Sequence, residues 1–315
     1  MTCKTIYEFD ALAPSGVDFP YADNVHLIPN EVFKWLEDQC LSLTEKGDAA
    51  WLRLSQRCGR RVVQVTSYVG VIRAPNGYQI EVLPKVGKAI GHGTVEARQL
   101  LLEMLCCLHG FRHVVTESAK LSAVRMPLLE IFITEFLRTV EHIVKRGLRS
   151  DYRQRQDNLF ALRGKLLVSQ NLRQNLFRAD RFFTEHDEFS TDRSENRLLR
   201  AALRRVLMLA KTQANQRLAR ELDFVFAEVQ ASTQIQIDFQ KVRLDRGMGY
   251  YAEALEWARL ILNEESPLTG SGNHVAPSLL FPMEALFEAF VARHLAKQLM
   301  PPLLLKTQAR SRQAS

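Results

Sequence analysis

Several features that would settle a function at once are missing. No GxxxxGK[ST] run occurs anywhere, so the chain has no Walker-type phosphate loop. Its five cysteines, Cys3, Cys40, Cys58, Cys106 and Cys107, include no CxxC pair. An odd count without a framework argues against a disulfide scaffold and points to a reducing compartment. Cys106 and Cys107 sit in an apolar helical run with His109 and His113 nearby. Without defined ligand spacing they read as core thiols rather than a metal site. No stretch reaches the ~18 consecutive apolar residues of a membrane span. The first residues, MTCKTIYEFD, show no basic leader followed by an apolar run. The expectation is a cytoplasmic protein with no membrane partner. Two further absences bear on chemistry: the dipeptide Pro-Asp occurs nowhere, and no acid follows Arg293.

What is present is a chain of 315 residues, 46% hydrophobic and 24% charged, with a net charge of +7. That size and balance predict a globular protein of more than one domain with a real core. The basic excess favours polyanionic or acidic partners. It concentrates in Arg146 to Asn196, where Arg146, Arg149, Arg153, Arg155, Arg163, Lys165, Arg173, Arg178 and Arg181 precede an acidic last third. Tyr152, Phe160, Phe177, Phe182 and Phe183 are interleaved with these cations. Two readings fit such a pattern. One is a face that meets phosphates or an acidic partner; the other is a solvated basic surface whose Arg stems cover apolar area.

Along the chain, residues 4–9 suggest a short strand and 11–24 a Pro- and Gly-punctuated loop. EVFKWLEDQCLSLTE carries Val32, Phe33, Leu36 and Cys40 at helical spacing. Residues 51–86 read as antiparallel β structure, with Pro75-Asn76-Gly77 as the hairpin turn. Thr94 is the expected cap of a Leu-rich helix, and Pro127 opens another that Gly147 ends. Residues 148–162 look partly extended, Arg163-Gly164 marks a change of direction, and RFFTEHDEFS reads as a strand. Ser194 starts a helix, residues 231–249 read as β or loop, and two more helices follow, the last over 281–300. The expected fold class is α+β: a β-rich N-terminal domain over 1–90, a mainly helical middle domain over 94–265, and a last helix with a basic tail over 279–315.

The blocks GLRSDY (Gly147–Tyr152), DNLFALRGKLLVSQNLRQN (Asp157–Asn175), DEFSTDRSENRLLRAAL (Asp187–Leu203) and PMEALFEAFVARHL (Pro282–Leu295), with YVGVIRAPNGYQIEVLPKVG (Tyr68–Gly87), resemble the McrC family. LRGKL followed by the spaced D-E-F and E-N makes the resemblance specific across most of residues 60–296. It implies a subunit of a modification-dependent DNA restriction system that binds an McrB-like AAA+ hexamer and stimulates its GTPase. The complex would act on double-stranded DNA with modified cytosine. GTP belongs to the partner, and no cofactor is expected in this chain. For stimulation the candidates are Arg73, Lys85, Arg163 and Lys165; for phosphate contact, Arg149, Arg153, Arg155, Arg173 and Arg178. A stand-alone nucleic-acid-binding protein using 146–181 is the alternative.

The resemblance also implies a Mg2+-dependent PD-(D/E)xK nuclease opened by the helix around Leu286–Leu295. Here the sequence departs from the family, because the acids of that core do not follow. Glu288 matches the first-helix glutamate and is the one catalytic candidate, with no complete metal site. Asp187 and Glu188, adjacent in a strand, face opposite sides, and the spacing from Asp238 to Lys241 is one residue too long. The expectation is that this chain alone does not cleave DNA.

Overall fold

The computed structural model describes residues 3–16, 24–46, 51–86, 93–108, 126–262 and 279–299. The fold is of the α+β class. By contacts the chain divides into two units: Met1–Phe136 with Ala210–Thr212 and Glu256–Ser315, and Leu137–Leu209 with Gln213–Leu255. Among the described residues no helix is long and apolar enough to cross a membrane.

Unit 1 opens with β1 (Cys3–Tyr7), β2 (Ala11–Pro14), β3 (Val25–Ile28), α1 (Asn30–Lys46), β4 (Leu52–Arg57), β5 (Arg60–Val65), β6 (Tyr68–Arg73) and β7 (Gln79–Leu83). One sheet has the order β3-β2-β5-β4. The β6–β7 hairpin turns through Asn76 and Gly77, the latter at φ +82, which a residue without a Cβ adopts at no steric cost. β1 lies parallel beside β7. Side chains of β6 and β7 are buried along nearly their whole length, which is why these strands read as apolar runs rather than alternations. Val32, Phe33, Leu36 and Cys40 of α1 join Ile6, Leu12, Val63, Ile72 and Val82 in one core.

Residues 11–14 form a strand where the sequence suggested loop. Ala11, Leu12 and Ala13 are wholly buried, and β2 pairs with β3 on one side and β5 on the other. The flanking Pro and Gly end the strand instead of preventing it. α2 (Thr94–Leu105) starts one residue earlier than expected: Gly93 is its extended N-cap, its carbonyl accepting from the Ala97 N–H, and Thr94 is already helical. α3 (Leu128–Arg146) begins after Pro127, whose carbonyl accepts from Glu130 and Ile131. Its first half belongs to unit 1 and its second half to unit 2.

Unit 2 contains β8 (Asp151–Leu159), β9 (Lys165–Leu166), α4 (Val168–Asn175), β10 (Phe182–Ser190), α5 (Ser194–Leu209), α6 (Gln213–Val225), α7 (Ile235–Lys241) and a 3-10 turn at Gly249–Tyr251 before α8 (Ala252–Leu262). Its sheet has the order β8-β10-β9. α5 buries Leu198, Leu199, Ala202, Leu203 and Val206, the stripe its spacing predicts. Residues 235–241 are a helix, within the 231–249 passage whose sequence suggested β or loop. Buried Asp238 accepts from Ser232 Oγ at 2.6 Å and Ser194 Oγ at 3.4 Å, bonds that fix a helical turn there.

The chain then returns to unit 1. β11 (Leu279–Pro282) pairs antiparallel with β6, completing the order β1-β7-β6-β11. The last helix, α9 (Met283–Gln298), therefore starts two residues later than expected, because Phe281 lies in the strand. Gly70 of β6, at φ +133, lets β11 approach: a Cβ there would stand 2.0 Å from the Leu279 carbonyl oxygen. Phe281 meets Phe132 at 6.0 Å, and Phe132 meets Trp257 of α8 at 5.8 Å. From α9, Arg293 donates to the Cys106 carbonyl at 2.6 Å.

Glu81 on β7 is 1% exposed. Its carboxylate accepts from Arg98 Nε at 3.0 Å, the Leu128 N–H at 2.8 Å and Thr5 Oγ1 at 3.5 Å. Removing one partner of a buried ion pair leaves the other uncompensated. Arg98→Ala should therefore lower the unfolding free energy by about 3 kcal/mol or more in denaturant titration. Replacing both partners together (Glu81→Leu with Arg98→Met) should recover most of it.

Candidate functional site

The residues singled out by their charge gather on the sheet of unit 2. β8 and β10 pair along nine residues each, from Leu159 opposite Phe182 to Asp151 opposite Ser190. The two ends of this ribbon differ in what they present.

At the Leu159 end, the LRGKL run turns the chain onto β10. β9 places Leu166 opposite Thr184 and Lys165 opposite Glu185. Gly164 makes this possible: its φ is +71, and a Cβ would lie 2.4 Å from the Glu185 carbonyl oxygen and 2.9 Å from His186 Cβ. Only glycine fits such a close approach at positive φ. Arg163 and Lys165 on either side are exposed, with no ion-pair partner among the described residues.

α4 lies over this end with its polarity reversed. Buried Asn175 exchanges amide hydrogen bonds with Asn158 of β8, both at 2.8 Å, and donates to Asn171 Oδ1 at 2.8 Å. Asn171 in turn accepts from the Phe183 N–H at 2.8 Å. The amides thus hold the inner face, and Val168 and Leu172, one turn apart, point outward at 58% and 57% exposure. Phe177 just beyond is 95% exposed, and Phe160, Leu162 and Leu176 are also exposed. Arg173 and Arg178 accompany them without ion-pair partners among the described residues. Arg181 lies over the Phe160 ring at 4.3 Å.

The other predicted phosphate contacts divide. Arg153 is paired with Asp192 at 2.9 Å and Arg155 with Glu188 at 2.9 Å, so their charge is largely answered within the fold. Asp192 also takes two hydrogen bonds from Arg197. That bonding, with the Arg197 and Arg153 charges and against the cost of burial, holds its carboxyl below the ordinary aspartate range. Arg149 is exposed, and its backbone is tied down. Its N–H donates to Tyr251 Oη at 2.9 Å, while its carbonyl accepts from Asn196 Nδ2 at 3.0 Å. Tyr251 Oη donates to Asn196 Oδ1 at 2.9 Å, and burial pushes this phenol up to about 12. The E-N pair is therefore scaffold. Asn196 anchors the 149 loop, and buried Glu195 accepts from Arg193 Nε at 3.1 Å and the Arg243 N–H at 2.9 Å.

Arg73 and Lys85 belong to unit 1. Arg73 ends β6, half-buried; burial first, and then its charge, depress the Lys211 ammonium. Lys85 is exposed with Nζ 4.4 Å from the centre of the Phe9 ring. Glu288 stands exposed on α9. Among the described residues no three His, Cys, Asp or Glu side chains converge as a metal site. These residues do not fit the Mg2+ that the nuclease resemblance implies. Cys106 is buried as a core thiol, its Sγ–H donating to the Leu102 carbonyl at 3.0 Å. His109 and His113 lie outside the described residues. The outward apolar stripe of α4 and Tyr250 are not among the residues that charge singles out; the i, i+4 spacing of Val168, Leu172 and Leu176 is the signal in the sequence for the stripe.

A family model described as McrBC 5-methylcytosine restriction system component matches residues 63–315. No curated protein sequence matches the chain significantly. Two solved structures have a similar fold. One is a cryo-EM structure of the Thermococcus gammatolerans McrBC complex, similar at TM-score 0.66 and 22% identity over 95% of this chain and 88% of that one. The other is a refined half-complex from a tetradecameric assembly of Thermococcus gammatolerans McrB AAA+ hexamers with bound McrC, at TM-score 0.66 and 22% identity over 96% and 71%. At this identity the likeness establishes the fold.

Two outcomes follow from the geometry. Gly164→Ala should destabilise the protein by about 2 kcal/mol or more through strain and the clash on β10, seen as a lower urea midpoint and faster hydrogen exchange at Glu185. The lowered carboxyl of Asp192 gives stability that is full above the ordinary aspartate range. It shrinks as pH falls through that range and is gone below the lowered folded value. The stability gap between the native protein and Asp192→Asn should therefore narrow as pH falls from neutral through the ordinary aspartate range in urea titrations; a gap that widened toward acid would contradict the assignment.

Proposed function

The chain belongs to the family of McrBC 5-methylcytosine restriction system components, and we propose that it serves there as the McrC-type subunit, docking on an McrB-like AAA+ GTPase hexamer. The observation that carries this reading is the reversed polarity of α4. A helix that turns its amides inward and its Val168–Leu172 stripe outward exposes apolar surface that another protein would cover. Phe177 and Phe160 extend the patch with aromatic anchors of the kind that dominate interface energetics. Arg163, Lys165, Arg173 and Arg178 rim it with charge. The similar fold of a chain in assemblies containing McrB hexamers and McrC supports the same reading.

Stimulation of GTP hydrolysis falls to a cation that reaches a nucleotide at a subunit junction, where it stabilises charge developing on the transferring phosphoryl group. Arg163 and Lys165 are the first candidates, because both are exposed beside Gly164, whose backbone is packed against β10. Arg73 and Lys85 are a second set on unit 1. Duplex DNA carrying modified cytosine is engaged through the complex, with cleavage assigned to a Mg2+-dependent centre that the described residues do not assemble.

A second reading, direct nucleic-acid binding by 146–181, is favoured by the exposed Arg149, Arg173 and Arg178. Arg153 and Arg155 weigh against a continuous phosphate track, because Asp192 and Glu188 already answer them.

Mixing the protein with an McrB-like GTPase separates the readings. Co-elution and faster GTP hydrolysis are expected. Val168→Asp with Leu172→Asp should weaken association by about tenfold or more. Arg163→Ala with Lys165→Ala should reduce stimulation by about tenfold or more while leaving co-elution in place. No association by the native protein, with steeply salt-dependent DNA binding by the chain alone, would transfer the assignment to the second reading.

A further inference from the structure

The opposite end of the β8–β10 ribbon carries a separate feature. Nine-residue strands put the two ends about 26 Å apart. At this far end a cleft of about 450 Å³ opens among Arg146, Arg149, Asp151, Tyr152, Phe189 and Tyr250. Tyr152 and Phe189, partners in the register, pack with centroids 5.0 Å apart, yet remain 71% and 63% exposed. Two neighbouring aromatics left this open expend apolar surface on solvent unless something stacks on them. Arg146 lies over the Tyr250 ring at 5.2 Å, which holds a cation at the mouth. Arg149 adds a second cation whose side chain has no ion-pair partner among the described residues. The one acid, Asp151, is drawn toward Arg193 at 3.4 Å.

The wall is built in advance. The 149 backbone is clamped on both its N–H and its carbonyl by buried Tyr251 and Asn196, and Asn196 also donates to the Thr191 carbonyl at 2.6 Å. A cleft of this volume falls within the about 300–1,000 Å³ range of ligand sites. Flat aromatic faces beside guanidinium groups suit one chemistry above others: a planar base stacked on the rings, with its phosphate held by arginine. A base paired inside a duplex cannot offer its face in this way, whereas an unpaired one can.

We propose that the Tyr152–Phe189–Tyr250 cleft binds an unstacked nucleobase together with its 5′-phosphate, held by Arg149 and Arg146, as presented by single-stranded nucleic acid. The site uses other residues than the α4 patch, so it stands independently of ring docking and is measured on the full chain alone.

The test is anisotropy titration with a short oligothymidylate carrying one 2-aminopurine, beside the same sequence as duplex and beside thymidine 5′-monophosphate. Single strand should bind more tightly than duplex, and 2-aminopurine emission should fall as the base stacks. Tyr152→Ala with Phe189→Ala should weaken binding by roughly tenfold or more, whereas Tyr152→Phe, which keeps the stacking face, should not. Arg149→Ala should lower the salt slope by about 0.7, the share of one phosphate on a single strand. All these side chains are exposed. Arg149→Glu is a second variant that tests the site without touching the aromatics, and it should abolish binding. Binding of the mononucleotide as tight as that of the strand would uphold the cleft and assign it to free nucleotide. The proposal is overturned by the absence of binding to strand and mononucleotide alike. It is equally overturned by strand binding that these variants leave unchanged, or by variants that lose only the GTPase ring and mark the cleft as a protein contact.

Discussion

A single buried carboxylate organises unit 1. Glu81 sits in the middle of β7 and draws donors from three distant segments: Thr5 on β1, Arg98 on α2 and the first N–H of α3 at Leu128. A charge in that environment is tolerable only when its oxygens are fully bonded. The position of one side chain therefore constrains where β1, α2 and the start of α3 can lie. Glu130 repeats the device within the first turn of α3, where it accepts from the Lys211 N–H at 2.6 Å and Thr212 Oγ1 at 2.8 Å. These bonds fix the short Ala210–Thr212 segment to unit 1, although its sequence neighbours belong to unit 2.

Unit 2 solves a different problem. Its sheet has only three strands, one of them two residues long. α4 is tied to it by amide hydrogen bonds among Asn158, Asn171 and Asn175. Satisfied amides on the inside leave the helix free to present apolar side chains outside. The arrangement gives up local burial and leaves Val168, Leu172 and Phe177 exposed. At the other end of the ribbon, the Tyr251–Asn196 clamp fixes the backbone of Arg149 while its side chain stays free for charge.

Much of this was legible residue by residue. The β6–β7 hairpin followed from Asn76-Gly77, α5 from its Leu spacing, and β8 and β10 from extended character around Arg163-Gly164. The short strand β2 and the helix α7 were not. In both, a tertiary contact outweighed the local signal: pairing on two sides for Ala11–Pro14, and the serine bonds to Asp238 for residues 235–241. Within the basic stretch, composition alone did not separate Arg153 and Arg155, which are paired with acids, from Arg149, Arg173 and Arg178, which are not. The acids that answer the first two lie more than thirty residues away in sequence and meet them through strand pairing and the turn after β10.

The sequence by itself determined the family, because LRGKL, D-E-F and E-N are ordered patterns of residue type that survive without coordinates. It also determined the helical stripes and turns, which depend on spacing along one segment. Only the tertiary structure decided what those patterns are for. Gly164 is required by the backbone of β10, Asn196 by the loop at Arg149, and β11 by an open edge on β6 some two hundred residues earlier. Each of these is a long-range contact whose energy depends on two segments arriving at the same place, and no local pattern in either segment contains it.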